Sequence, residues 1–116
     1  EFLIHYDVCA DYMKNAVEAL GFSDNPKTII GFSQGGYASV HMVEKLKNVD
    51  HVIGLGCRFK IKNPAWQKPL VVEAVHGEAD DMVEWKGAKQ SFTENIPEEF
   101  KGRLQSFAGV GHKPSQ

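Results

Sequence analysis

The sequence predicts an α/β fold: a mostly parallel sheet of about four strands flanked by helices. Three observations lead there. Stretches with apolar residues at helical spacing alternate with short runs rich in β-branched residues. Their order along the chain is helix, strand, helix, strand, strand, helix, strand. Helices placed between strands are what the crossovers of a parallel sheet require. With 116 residues the chain is at most one domain. A domain of that size buries roughly two-thirds of its unfolded surface, enough for a core without metal or disulfide support.

In residues 7–20 the apolar side chains fall in pairs four apart: Val8 and Cys9, Tyr12 and Met13, Ala16 and Val17, then Leu20. That spacing predicts one amphipathic helix, with Asp7 as N-cap and Gly21 as its stop. "SDNPK" (23–27) is turn chemistry, and residues 28–32 are a β-branched run suited to a buried strand. Residues 34–47 return to helical spacing with Val40, Val43 and Leu46 inward. "HVIGLGC" (51–57), "PLVVEAVHG" (69–77) and "RLQSFAG" (103–109) read as further strands, and 85–94 as a helix. The segment between the second and third strands is too short for a full crossover helix, so an irregular crossover is expected there.

A net charge of −2 gives no electrostatic case for nucleic acid. No apolar run approaches the roughly 20 residues needed to span a bilayer. Cys9 and Cys57 are isolated, without C-x-x-C spacing or a histidine cluster, and are expected to be reduced, partly buried thiols. That favours a reducing, cytoplasmic compartment.

The stretch "TIIGFSQGGYASV" (28–40) carries the chemistry. Gly31-Phe32-Ser33-Gln34-Gly35 fits G-x-S-x-G where a strand gives way to a helix, the context of a nucleophile elbow. A strand that turns at once into a helix strains its corner residue and leaves that side chain alone at the strand end. Side chains at 31 and 35 are expected to collide across the turn, and Gly36 to let the helix approach closely. The helix N-terminus and the Gln34 N–H would face a developing negative charge. The plain alternative is that Ser33 is a turn or N-cap residue.

Partners for such a serine follow in the order acid, then histidine. Asp80, in "HGEADDMV", sits in the loop after the third strand; His112, in "GVGH", sits just beyond the fourth. Of the five histidines, His112 alone follows a suitable acid at a strand end. Ser33, Asp80 and His112 would then meet at the carboxyl edge of the sheet, where open α/β sheets bind ligands. Asp81 and Glu78 are the rival acids. No metal or cofactor is called for.

"GFSQGG", the H-G-x-x-D-x-x-V pattern of "HGEADDMV" and "GVGH" together resemble the phospholipase/carboxylesterase family of α/β-hydrolases, which includes acyl-protein thioesterases. The resemblance implies a serine esterase or thioesterase with Ser33 as nucleophile, His112 as base and Asp80 as acid. It also implies the Gln34 N–H as one oxyanion donor, no cofactor, and small acyl-ester or thioester substrates. Family chains are about twice this length. They begin with strands absent here, one of which leads to the loop that supplies a second oxyanion N–H. The sequence, which opens on Glu1 and ends four residues after His112, is therefore expected to be the C-terminal part of such a domain. It is expected to leave the 28–32 strand on an open edge where another chain can pair. Two other readings remain: a prolyl-oligopeptidase-like serine peptidase domain, and a non-catalytic interaction module without a complete oxyanion hole.

"CRFKIK" (57–62) would put Arg58, Lys60 and Lys62 on one face if extended, as a solvated strand edge or a greeting for an anionic substrate. Trp66 is expected to anchor the crossover or line an acyl pocket. His76 is expected to bond nearby backbone, and His41 to lie on a helix surface.

Overall fold

The computed structural model describes residues 2–113, with side chains from residue 6 onward. In chain order the elements are α1 (Phe2–Ala19), β1 (Lys27–Phe32), α2 (Gln34–Met42), β2 (Val49–Leu55), β3 (Val71–Gly77), α3 (Trp85–Asn95) and β4 (Lys101–Phe107). A single 3-10 turn (Glu98–Phe100) precedes β4. The strands form one sheet in the order β1-β2-β3-β4, and every neighbouring pair is parallel. The α/β prediction holds, and the connection from β2 to β3 is irregular as expected.

Helix α1 ends where the sequence indicates. Gly21 takes φ +80°, the Phe22 N–H donates to the Val17 carbonyl (3.0 Å) and the Gly21 N–H to that of Glu18 (3.1 Å). That pair of bonds is a Schellman cap. Its start differs. The helix already runs at Asp7, which is therefore no N-cap; with Asp11 it reaches Lys45 Nζ instead, at 3.9 and 3.0 Å. Capping preference is a weak prior once the preceding residues are themselves helical.

The face that α1 buries also differs. Val8, Tyr12, Met13 and Leu20 are exposed, whereas Ala10 is fully buried and Val17 packs against the core. The Tyr6 ring stacks on His41 with centroids 5.3 Å apart. His41 is therefore a half-covered residue under α1, not an open surface one, and its Nε2 is buried without a hydrogen-bond partner among the described residues. Helical spacing shows which residues share a stripe, not which stripe meets a neighbour.

Helix α2 stops at Met42, earlier than the apolar spacing suggests, and gives way to a turn in which the Lys45 and Leu46 N–H groups both donate to the Met42 carbonyl. Val40 and Leu46 are nevertheless buried and Val43 packs against them. The core joins these to Val52, Phe59, Leu70, Val72, Ala74, Phe92 and Ile96. Phe59 meets Phe92 edge-on, and Trp66 meets Phe100 edge-on at 5.6 Å, so Trp66 anchors the crossover. Residues 57–62 form no strand. Their alternation survives as burial: Cys57 and Phe59 are inside, Lys60 and Lys62 outside. Burial pushes the Cys57 thiol up to about 12, whereas Cys9 is exposed rather than partly buried.

β1 is an edge strand with β2 on one side only among the described residues. It is not the buried strand its composition suggests: Ile30 is 64% exposed, and Phe32 is also open. In register with these lie Ile53 and Leu55 of β2, then Glu73 and Val75 of β3. The core cluster lies on the opposite face, with α2 and α3. A β-branched run reports suitability for a sheet, not how many neighbours the strand finds.

On the more open face, Glu73 ties three strands together. Its Oε1 lies 2.8 Å from His51 Nε2, and its Oε2 accepts the Arg103 N–H at 3.0 Å. The Arg103 N–H, then His51, hold the Glu73 carboxyl below the ordinary carboxylate range, against the opposing effect of burial. Because the folded-state pKa is depressed, the stabilisation is present above the unfolded pKa near 4 and is lost as pH falls through the lower folded value. Glu73→Gln is expected to cost about 1 kcal/mol at pH 7, modest because Arg103 is open to water. In urea unfolding from pH 7 to 2 the gap to wild type should close at the acid end. A gap constant with pH would mean that the carboxylate charge contributes nothing.

Candidate active site

The G-x-S-x-G segment forms the sharp strand-to-helix corner. Ser33 follows β1 directly with φ 54° and ψ −116°, and α2 starts at the next residue. The Ser33 N–H donates to the Leu55 carbonyl (2.8 Å), which seats the corner on β2. A Cβ on Gly31 would overlap the Gly35 carbonyl, and one on Gly36 would overlap Cys57 Sγ. Gly35 differs from expectation: a Cβ there meets open space, because it is the Gly35 carbonyl, not its Cα hydrogens, that faces Gly31.

A positive φ on a non-glycine residue stores backbone strain of about 1 to 3 kcal/mol. Ser33→Gly and Ser33→Ala both remove the hydroxyl, but only glycine relaxes the corner. Ser33→Gly is expected to be the more stable by about 1 kcal/mol, after allowing for the greater freedom of unfolded glycine. Denaturation midpoints measure this directly, and coincident midpoints would mean the corner is unstrained.

The strands bring Ser33, Asp80 and His112 together. Ser33 Oγ lies 3.0 Å from His112 Nε2, and His112 Nδ1 lies 2.7 Å from Asp80 Oδ2. Ser33 sits at the N-cap position of α2, as the plain reading has it, but its side chain makes no capping bond to the helix. Among the rival acids, Glu78 accepts a bond from Ser106 Oγ and Asp81 is exposed. His51 is bound to Glu73, His76 to the Val83 carbonyl and His41 lies under Tyr6. The His5 side chain lies outside the described residues.

Asp80 is buried, and its carboxylate is held from several sides. Oδ1 accepts the N–H groups of Met82 (2.9 Å) and Val83 (2.8 Å). Burial alone would raise its pKa. The Val83 N–H, His112 and the Met82 N–H together outweigh that and hold Asp80 below the ordinary carboxylate range. An ionised Asp80 requires the hydrogen of neutral His112 on Nδ1, leaving the Nε2 lone pair to accept the Ser33 hydroxyl proton.

The histidine loop is clamped to the end of β3. The Ala79 N–H donates to the Val110 carbonyl (3.0 Å) and the Glu78 N–H to that of Phe107 (2.9 Å). Gly77 permits this, since a Cβ there would overlap the Val110 carbonyl. The Phe32 ring lies 5.0 Å from the His112 ring, and beside them opens a cavity of about 400 Å³ lined by Leu55, Val75, Phe107 and Val110. The sequence reading missed Gly77, Phe32 and the Met82 and Val83 donors. Only the last had a readable signal, since aspartate favours bonding N–H groups two and three residues on. The Gln34 N–H lies in the first turn of α2, where N–H groups have no intrahelical partner.

No protein-family model and no curated protein matches the chain. Solved structures do. Esterase PE8 superposes with a TM-score of 0.80 at 19% identity, covering 97% of this chain and 54% of its own. Arabidopsis thaliana SOBER1 gives 0.76 at 16%, covering 93% and 56%. Zea mays acyl-protein thioesterase 2 gives 0.73 at 18%, covering 95% and 59%. The fold is that of part of an α/β-hydrolase. The chain spans little more than half the length of these neighbours. Within that part of the α/β-hydrolase fold, Ser33 directly follows β1, and Asp80 and His112 lie in the loops after β3 and β4. Among the described residues no helix is long and apolar enough to cross a membrane.

Proposed function

We propose that the chain is the C-terminal, serine-bearing part of a hydrolase that cleaves small carboxylic esters or thioesters through an acyl-enzyme. The observation that carries this reading is the hydrogen-bonded series Ser33–His112–Asp80 on a strained corner. Ser33 Oγ attacks the acyl carbon as His112 Nε2 takes its proton. The Gln34 N–H, at the positive end of α2, stabilises the oxyanion. The intermediate collapses, His112 returns the proton to the departing alcohol or thiol, and the acyl group stays on Ser33. Water, deprotonated by His112, then attacks the ester, and His112 returns that proton to Ser33 Oγ as the acid is released. Asp80 keeps the imidazole in the required tautomer and stabilises its charged form. The low pKa of Asp80 supports that role, because the carboxylate stays ionised while His112 cycles.

A second reading, a non-catalytic interaction module, draws support from the open β1 edge, which invites pairing with another strand. A fluorophosphonate probe separates the two. Phosphonylation that maps to Ser33 and is slowed in Asp80→Asn supports the hydrolase. A folded chain that takes up no probe, or takes it elsewhere, sinks that reading.

A further inference from the structure

His76 closes the same loop from the other side. Its imidazole is 3% exposed and tilts against Trp85, ring centroids 5.7 Å apart. Nε2 lies 2.7 Å from the Val83 carbonyl oxygen and 3.5 Å from Asp80 Oδ2. A carbonyl only accepts, so Nε2 carries a hydrogen, directed at the Val83 oxygen. Val83 is also the residue whose N–H holds Asp80 Oδ1. It is thus fixed at both ends, by Asp80 through its N–H and by His76 through its carbonyl.

We propose that His76 is a positioning residue for Asp80: its Nε2–H fixes the 80–83 turn and thereby the direction in which the carboxylate meets His112. The inference deepens the serine-hydrolase reading and rests on it for its place in the reaction. If His76 merely filled space, an apolar ring of equal size would replace it. With an N–H role, that replacement strands a buried carbonyl and frees the turn that supplies two donors to Asp80. Other ionisable groups around the loop are differently engaged. Glu78 accepts from Ser106, Asp81 and Glu84 are exposed, and the Tyr37 phenol is raised first by burial and further by Asp80, against Arg58.

The test uses His76→Phe and His76→Gln in the 116-residue chain, the amide N–H of Gln reaching close to the Nε2 position. Three quantities are read: the Asp80 carboxyl titration by carbon NMR, the low-field proton of the His112–Asp80 bond, and the rate of Ser33 phosphonylation. For His76→Phe the Asp80 midpoint should rise toward the ordinary aspartate value and the low-field proton should weaken. Labelling should slow by up to about a hundredfold, the scale of a small misplacement of a reacting group. His76→Gln should recover most of all three. A folded Phe variant unchanged in all three, or a Gln variant no better than Phe, overturns the proposal. If the Phe variant does not fold, Gln is compared with His76→Asn, whose shorter amide cannot reach Val83; equal behaviour of Gln and Asn overturns it too. If wild type takes no label yet the two NMR readouts respond as expected, the positioning role stands and the hydrolase reading falls.

Discussion

Ser33→Ala is expected to remove ester turnover while leaving the fold in place. In the proposed mechanism the hydroxyl oxygen forms the acyl bond, and alanine offers no oxygen in its place. Ser33 makes no side-chain bond to α2, so its loss frees no helix N–H that was satisfied before. Alanine tolerates the corner as serine does, since both carry one Cβ. In a complete serine hydrolase, removing the nucleophile costs on the order of a millionfold in turnover, with some catalysis above water surviving from binding and oxyanion donors. Kinetics on a short p-nitrophenyl ester, beside circular dichroism of both chains, measure the two halves of the expectation. A mutant with near wild-type turnover makes Ser33 a structural residue.

The 116 residues alone are expected to be poor catalysts, two to three decades below a hydrolase with both oxyanion donors. One missing donor costs roughly 3 to 4 kcal/mol of transition-state stabilisation. The Gln34 N–H is the one donor proposed at the corner. The turn between α1 and β1 leads into Lys27, at the end of β1 away from Ser33, so its N–H groups cannot supply a second. The open edge of β1 adds another expectation. Its exposed Ile30 and Phe32 beside unpaired backbone groups favour association through that edge. Ester hydrolysis compared with that of esterase PE8 tests the first point, and sedimentation with Ile30→Lys tests the second. Comparable turnover would mean that the oxyanion hole is built from residues read here as ordinary. A monomer at all concentrations would remove the edge from consideration as a docking surface.

The site was more legible in the sequence than the fold that carries it. Ser33, Asp80 and His112 are identifiable because each chemistry-bearing residue sits in a short pattern tied to a strand end: G-x-S-x-G, H-G-x-x-D and G-x-G-H. Their mutual distances were not legible. They depend on β1, β3 and β4 being parallel in one sheet and on Gly77 admitting the Val110 loop. The role expected of Gly35 was misjudged for the same reason, since which backbone atom fills a tight turn depends on where its peptide plane points.

The errors in the fold have one cause. Periodicity identified the apolar stripe of α1 and the β-branched run of β1, but both turn largely outward. A local pattern records which residues can share a surface; which surface is covered depends on neighbours distant in sequence. His41 illustrates this, since only α1 crossing α2 places Tyr6 over it.

By itself, then, the sequence determined the α/β class, the order of elements, the three candidate residues to look for at the strand ends and the cap of α1 at Gly21. Each of these depends on interactions within a few residues: spacing, glycine's access to positive φ, and the strain of a strand–helix corner. The tertiary structure alone decided that β1 lies on the edge and that His112 reaches both Ser33 and Asp80. Those contacts join residues up to 79 positions apart. Such pairs are set by packing of the whole sheet, and no local preference encodes them.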